Sequence, residues 1–322
     1  MSGTRRPFIG LLVSVAAAVG SAVLQPAAAG AASPPVGNAQ VVAHFNLAGG
    51  QQPENIALGS DGSAYLTFAL ARQVANVTRT GRVRIVAILP APRAGAACPI
   101  VAARGFLAGI VRAADGTLYV NYCTGTADLQ GIWRIRHGVA PTRIAALPAT
   151  GLPNGLALDQ HTGYLYATDS ALGRIWRVRI TGGRPIVWAN GPALGRTTFV
   201  GVNGVKVHGN AVWATNLDQG TILRIPLRRD GSAGHVQTRA TGLASIDDFG
   251  FTGRGDTLLA ALNAANKVAI VYSNGAHRIV LSAADGLSTP TSVAVRGSTI
   301  YVPSAAYFTN KDPNLLVARF SR

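Results

Sequence analysis

Glu54 is the only glutamate in a chain of 322 residues, and it stands in QQPENIAL at the head of a short apolar stretch. The same head position recurs at Ala108, Asn154, Asn203, Asp247 and Thr291, spaced 54, 46, 49, 44 and 44 residues apart in turn. Two carboxylates and two carboxamides in that series make a hard-oxygen donor set of the kind Ca²⁺ accepts. A softer transition metal would call for imidazole or thiolate, and no histidine falls at a head position. Glu54, Asn154, Asn203 and Asp247 are therefore the candidate metal ligands. Asp247 and its neighbour Asp248 are the candidate catalytic carboxylates, because a base beside a polarised carbonyl could take a proton from water. Each residue also has a plainer reading: Asn154-Gly155 and Asn203-Gly204 are turn signals, and Asp247-Asp248 could cap a loop.

Such a set acts together only if the chain brings the heads to one place, and the repeats around them supply the means. Each head opens a unit of two short strands joined by a Gly-containing turn, as in ENIALGSDGSAYLT from Glu54 and NGLALDQHTGYLYAT from Asn154. A third strand follows each pair (VANVTR, GIWRIR, RIWRVR, TILRIP, KVAIVY, LLVARF), several alternating apolar with basic residues. A fourth follows in five units, and the missing one is found ahead of Glu54 as QVVAHFN. Six four-stranded units at this period predict an all-β, six-bladed β-propeller, closed by an N-terminal strand that completes the last blade. The first strand of each blade lines the central channel of a propeller, so the six heads would form a ring at one mouth. A second polar tier is expected at the ends of the second strands: Thr67, Asn121, Asp169, Asn216, Asn263 and Ser304. These either orient the ring or begin exposed loops.

Composition narrows the setting. Residues 1–32 carry a basic start, an apolar run and an Ala-rich end with A-x-A-like sites, an export signal with a twin-arginine-like TRRPFI. Residues 33–322 are expected to form the single propeller domain, secreted or otherwise extracytoplasmic. No other stretch is long enough to span a bilayer. Cys98 and Cys123 could pair in an oxidising compartment or remain buried thiols. The net charge of +16 is almost all arginine. It favours anionic polymers in general, but without an aromatic-interleaved basic patch no specific nucleic-acid partner is expected. A closed ring leaves no sheet edge that demands a partner, so a monomer is expected. G-x-S-x-G, phosphate loops and dinucleotide fingerprints are absent.

The repeat and its ring of heads resemble the gluconolactonase and senescence-marker-protein propellers, relatives of paraoxonases, strictosidine synthase-like proteins and NHL-type propellers. PNGLALDQHTGYLYATDS around Asn154 carries the likeness best. The resemblance implies a Ca²⁺ or another divalent cation on Glu54, Asn154, Asn203 and Asp247, and hydrolysis of a lactone or related ester. Two departures bear on substrate and mechanism. The second head is Ala108, where sugar-lactone members often carry a polar residue, and the six histidines (44, 137, 161, 208, 235 and 277) fall on outer strands or far-side turns. The alternative is a non-enzymatic NHL-type propeller that binds carbohydrate or protein at the cell envelope.

Overall fold

The computed structural model describes residues 35–321; the expected export signal lies outside them. Strands form six four-stranded antiparallel sheets, and the one helical element among the described residues is a single 3₁₀ turn at Ala283–Asp285. The inner strands are Pro53–Leu58, Phe106–Arg112, Pro153–Asp159, Val202–His208, Ile246–Phe251 and the shorter Ala294–Arg296. Each contacts the next, and the sixth contacts the first, which makes the arrangement a six-bladed propeller ring. In the last sheet Val36–His44 pairs antiparallel with Asn314–Phe320 as the outermost strand. No helix among the described residues is long and apolar enough to cross a membrane.

The apolar core is spread between blades. Leu156, Leu165 and Trp176 of the third blade pack against Tyr119, Ile132 and Ala145 of the second. Trp213 and Ile222 of the fourth pack against Phe249 and Leu258 of the fifth. Burying each such side chain stabilises the fold by about 1.5–3 kcal/mol, so every blade leans on its neighbours and the ring is fixed as a whole.

One irregularity decides where the heads point. In five blades the inner strand slips register at the head: between Pro53 and Asn55, Leu107 and Ile110, Pro153 and Leu156, Val202 and Val205, and Ile246 and Phe249. A bulge of this kind bends the strand and re-aims a side chain. Asn154-Gly155 and Asn203-Gly204, which resemble turns in sequence, lie inside these bulges rather than in turns. The glycines are needed because inner strands approach closely there. A Cβ on Gly155 would overlap the Asn203 carbonyl oxygen, and one on Gly204 would overlap the Asp248 carboxylate.

Candidate metal and acid–base site

Four of the six heads converge on one mouth of the channel, where a cavity of about 410 Å³ opens. Its floor holds Glu54, Asn154, Asn203 and Asp247 together, with Asn263 and Tyr307 beside them. Of the other two heads, Ala108 is fully buried, and Thr291 is turned into the ring to hydrogen-bond the Pro53 carbonyl at 2.8 Å. The four sequence-predicted ligands thus share one cavity.

Hydroxyls and amides of the preceding blade pin the bulges. Thr67 Oγ1 donates to the Ala108 carbonyl at 2.6 Å, and Asn121 Nδ2 donates to the carbonyls of Asn154 and Gly155 at 2.9 Å each. Thr168 and Thr215 do the same for the carbonyls of Asn203 and Asp247. In the third and fourth blades these threonines act one position ahead of the expected Asp169 and Asn216. Asp169 instead accepts from Leu152 N, Leu172 N and Trp176 Nε1, and Asn216 holds the Ala193 and Gly195 carbonyls. Asn263 is the member of the tier that reaches the side chain of a candidate ligand, donating to Asp247 Oδ2 at 2.9 Å. Ser304 Oγ has no partner among the described residues.

Glu54 and Asp247 are each only 6 % exposed. No lysine or arginine lines their cavity. Burial pushes the Glu54 carboxyl up from the usual 4.5 to about 7; a hydrogen bond from Tyr307 opposes this and the negative Asp248 adds to it. Asp247 is raised well above the ordinary carboxylate range, first by burial and then by the charges of Glu54 and Asp248, against hydrogen bonds from Asn203 and Asn263. Tyr307 Oη donates to Glu54 Oε2 at 2.6 Å, and burial beside that carboxylate holds the phenol well above its usual pKa. Tyr307 lies in the loop after the last blade's second strand, outside the repeat, so the repeat pattern gave no signal for it.

Asp248 occupies a different environment. Its side chain is 2 % exposed and does not line the cavity. Lys206 Nζ donates to its two oxygens at 2.6 and 2.7 Å, Asn55 Nδ2 at 3.0 Å and Ser292 Oγ at 2.7 Å. With its acceptor capacity filled from three other blades, Asp248 is a tie across the channel, not a carboxylate free to act as a base.

The residues on the floor fit a divalent cation. Of the two buried carboxyls, Asp247 is pushed up further by the charge of Glu54, and no positive side chain lines the cavity to offset them. Two carboxamide oxygens stand alongside, and no hydrogen bond to the Asn154 amide is found among the described residues. Burying like charges without compensation is costly, and a cation with oxygen ligands removes that cost. The set is two acids and two amides, so no group of three or more His, Cys, Asp or Glu residues gathers anywhere among the described residues. None of the six histidines lines the cavity.

No family model matches the chain, and no curated protein matches it in sequence. Solved structures match its fold. A gluconolactonase from Xanthomonas campestris is 15 % identical, with a TM-score of 0.59 over 84 % of this chain and 86 % of that one. A regucalcin from Agrobacterium tumefaciens, described as a calcium-binding protein, is 16 % identical, with a TM-score of 0.61 over 84 % and 90 %. A virginiamycin B lyase from Staphylococcus aureus, made catalytically inactive by a histidine-to-alanine substitution and bound to quinupristin, is 16 % identical, with a TM-score of 0.57 over 88 % and 99 %. The likeness to gluconolactonase-type propellers expected from sequence holds as a likeness of fold.

Proposed function

We propose that this chain is an exported, divalent-cation-dependent hydrolase of lactones or related esters, with Ca²⁺ the expected ion. The observation that carries the reading is the convergence of Glu54 and Asp247, buried and uncompensated, with Asn154 and Asn203 on the floor of one open cavity. A cation held by those four residues would supply Lewis acidity to a substrate carbonyl. Asp247, at the cation's edge and facing the cavity, would take a proton from the attacking water. The water oxygen bonds to the carbonyl carbon, the ring C–O bond breaks, and the leaving alkoxide regains the proton from Asp247, giving a hydroxycarboxylate. Asn263 orients the Asp247 carboxylate, and Tyr307 orients Glu54. The lyase likeness adds no second reading, because a histidine matters in that enzyme and none reaches this cavity. Export as a monomer belongs to the same proposal and rests on the sequence features of residues 1–32 and the closed ring.

The test is thermal unfolding in chelator and then in millimolar Ca²⁺, with Glu54→Gln alongside. An ion that binds only the folded chain stabilises it by about 2.7 kcal/mol at a hundredfold excess over Kd. A Ca²⁺-dependent rise in Tm that disappears in Glu54→Gln, together with lactone turnover, is the expected result. No shift with any divalent ion, and no turnover, would leave the binding propeller as the reading.

A further inference from the structure

Above its polar floor the cavity is walled by apolar side chains. Phe106, Leu152 and Val200 are buried, Leu217 is half-buried, and Phe199 and Phe308 stand at the rim, exposed by 47 % and 60 %. No arginine, lysine, serine or threonine lines it. Its polar side chains are the four candidate ligands plus Asn263 and Tyr307, and those last two are already engaged with Asp247 and Glu54. A polyhydroxylated substrate entering here would lose water from its hydroxyls and find no partners for them, a cost of about 1–3 kcal/mol for each group left unsatisfied.

The apolar rim is built into the fold. Asp218 accepts hydrogen bonds from four consecutive backbone N–H groups, those of Thr197, Thr198, Phe199 and Val200, at 2.8, 2.7, 2.9 and 3.1 Å. This clamp fixes the loop that presents Phe199. On another wall, the segment bearing Ile100 and Val101 is tied to the second strand of its blade by the Cys98–Cys123 disulfide. Its backbone is folded tightly by hydrogen bonds from Cys98 N to the Ala103 carbonyl and from Ala102 N to the Cys98 carbonyl. Phe308 N donates to Thr289 Oγ1 at 3.2 Å, anchoring the third wall. Exposed phenylalanines held in place around a concave polar floor are what a ligand with an apolar portion requires.

Resting on the hydrolase reading, we propose that the substrate is a lactone or ester carrying a nonpolar alkyl or aryl group. Its carbonyl meets the Glu54–Asp247 floor, and its apolar group lies between Phe199 and Phe308. A sugar lactone is not the substrate. Ring opening consumes one water and yields the corresponding hydroxycarboxylate, so the reaction that supplies the substrate must close a ring or form an ester on a hydrophobic acyl group.

The experiment measures binding of ring amides, which resist hydrolysis, to the Ca²⁺-loaded protein by calorimetry. The probes are δ-valerolactams bearing a methyl, butyl or octyl group, and glucono-δ-lactam. Affinity should rise about fourfold for each methylene that enters the cavity, with glucono-δ-lactam the weakest. Phe308→Ser, a change at an exposed position whose folding is checked by cooperative unfolding, should flatten the dependence on chain length. Affinity independent of chain length, or tightest for glucono-δ-lactam, would overturn the proposal. Chain-dependent lactam binding without turnover of any matching lactone would keep the apolar ligand and remove the hydrolase. Turnover of gluconolactone in preference to alkyl lactones would keep the hydrolase and remove the apolar substrate.

Discussion

Asp247 and Asp248 are consecutive residues on one bulge, yet they stand in opposite electrostatic surroundings. Asp247 faces the cavity beside a second buried acid, with amide donors and no cation. Asp248 faces the other way, clamped by Lys206, Asn55 and Ser292. Both are almost fully buried. The chain has therefore neutralised one buried charge where the channel needs to hold together and left the other unneutralised at the mouth. Fold stability alone gives no reason to keep an acid pair there, and natural chains retain such costs at functional sites.

The largest expected effect separates the two acids by activity. Asp247→Asn should lower lactone hydrolysis by about a thousandfold, the loss typical of removing an acid–base group. Asp248→Asn should retain most of the activity of whatever fraction folds. Steady-state kinetics on both variants breaks the comparison if they lose activity equally, or if Asp247→Asn loses none.

The next effect reads the same contrast in stability. Lys206→Met leaves the Asp248 charge buried without its counter-ion and should cost about 3 kcal/mol, since removing one member of a buried pair strands the other. Urea unfolding checks this. Glu54→Gln should behave in the opposite way without metal, because it removes a buried acid that has no cationic partner, and should leave stability in chelator unchanged or higher. A loss of stability in chelator for Glu54→Gln as large as that of Lys206→Met would mean that the mouth is as structurally neutralised as the tie.

The mouth was legible in sequence because it obeys the repeat: the heads recur, and the hydrophobic alternation around them forces six like blades. The rest was hidden for identifiable reasons. Asn-Gly signals a turn when only local chemistry is considered. At Asn154 and Asn203 the glycine serves the approach of two inner strands that are dozens of residues apart in sequence. Asp248 looked as able as Asp247 to act, because a one-residue bulge decides which of two adjacent side chains meets the cavity. Lys206 is the residue that reveals the answer, and it belongs to another blade. Tyr307, Phe199 and Phe308 sit in connections whose length and sequence differ from blade to blade, so repetition could not point to them. The Cys98–Cys123 pairing, one of two options in sequence, proved to be a bond that fixes a cavity wall.

The smallest effect sharpens the comparison through pH. In the folded chain Glu54 binds its proton up to about 7, whereas an unfolded glutamate releases it near 4.5. Across that window the native state holds the extra proton, so the metal-free protein should lose stability as pH rises, by up to about 3 kcal/mol, with the loss complete above the folded value. Ca²⁺ displaces the proton of each ligand carboxylate, so its affinity should climb by about tenfold per pH unit for each one still protonated, with the Glu54 share levelling off at about 7. Tyr307→Phe deletes a hydrogen bond that lowers the Glu54 pKa. Such a bond to a charged group is worth about 1.5–3 kcal/mol, so the levelling should move upward by about one pH unit. Calorimetric titration of Ca²⁺ from roughly pH 5 to 8 on both proteins measures it. An affinity that is flat across the range in the wild type would take both carboxylates out of the ligand set.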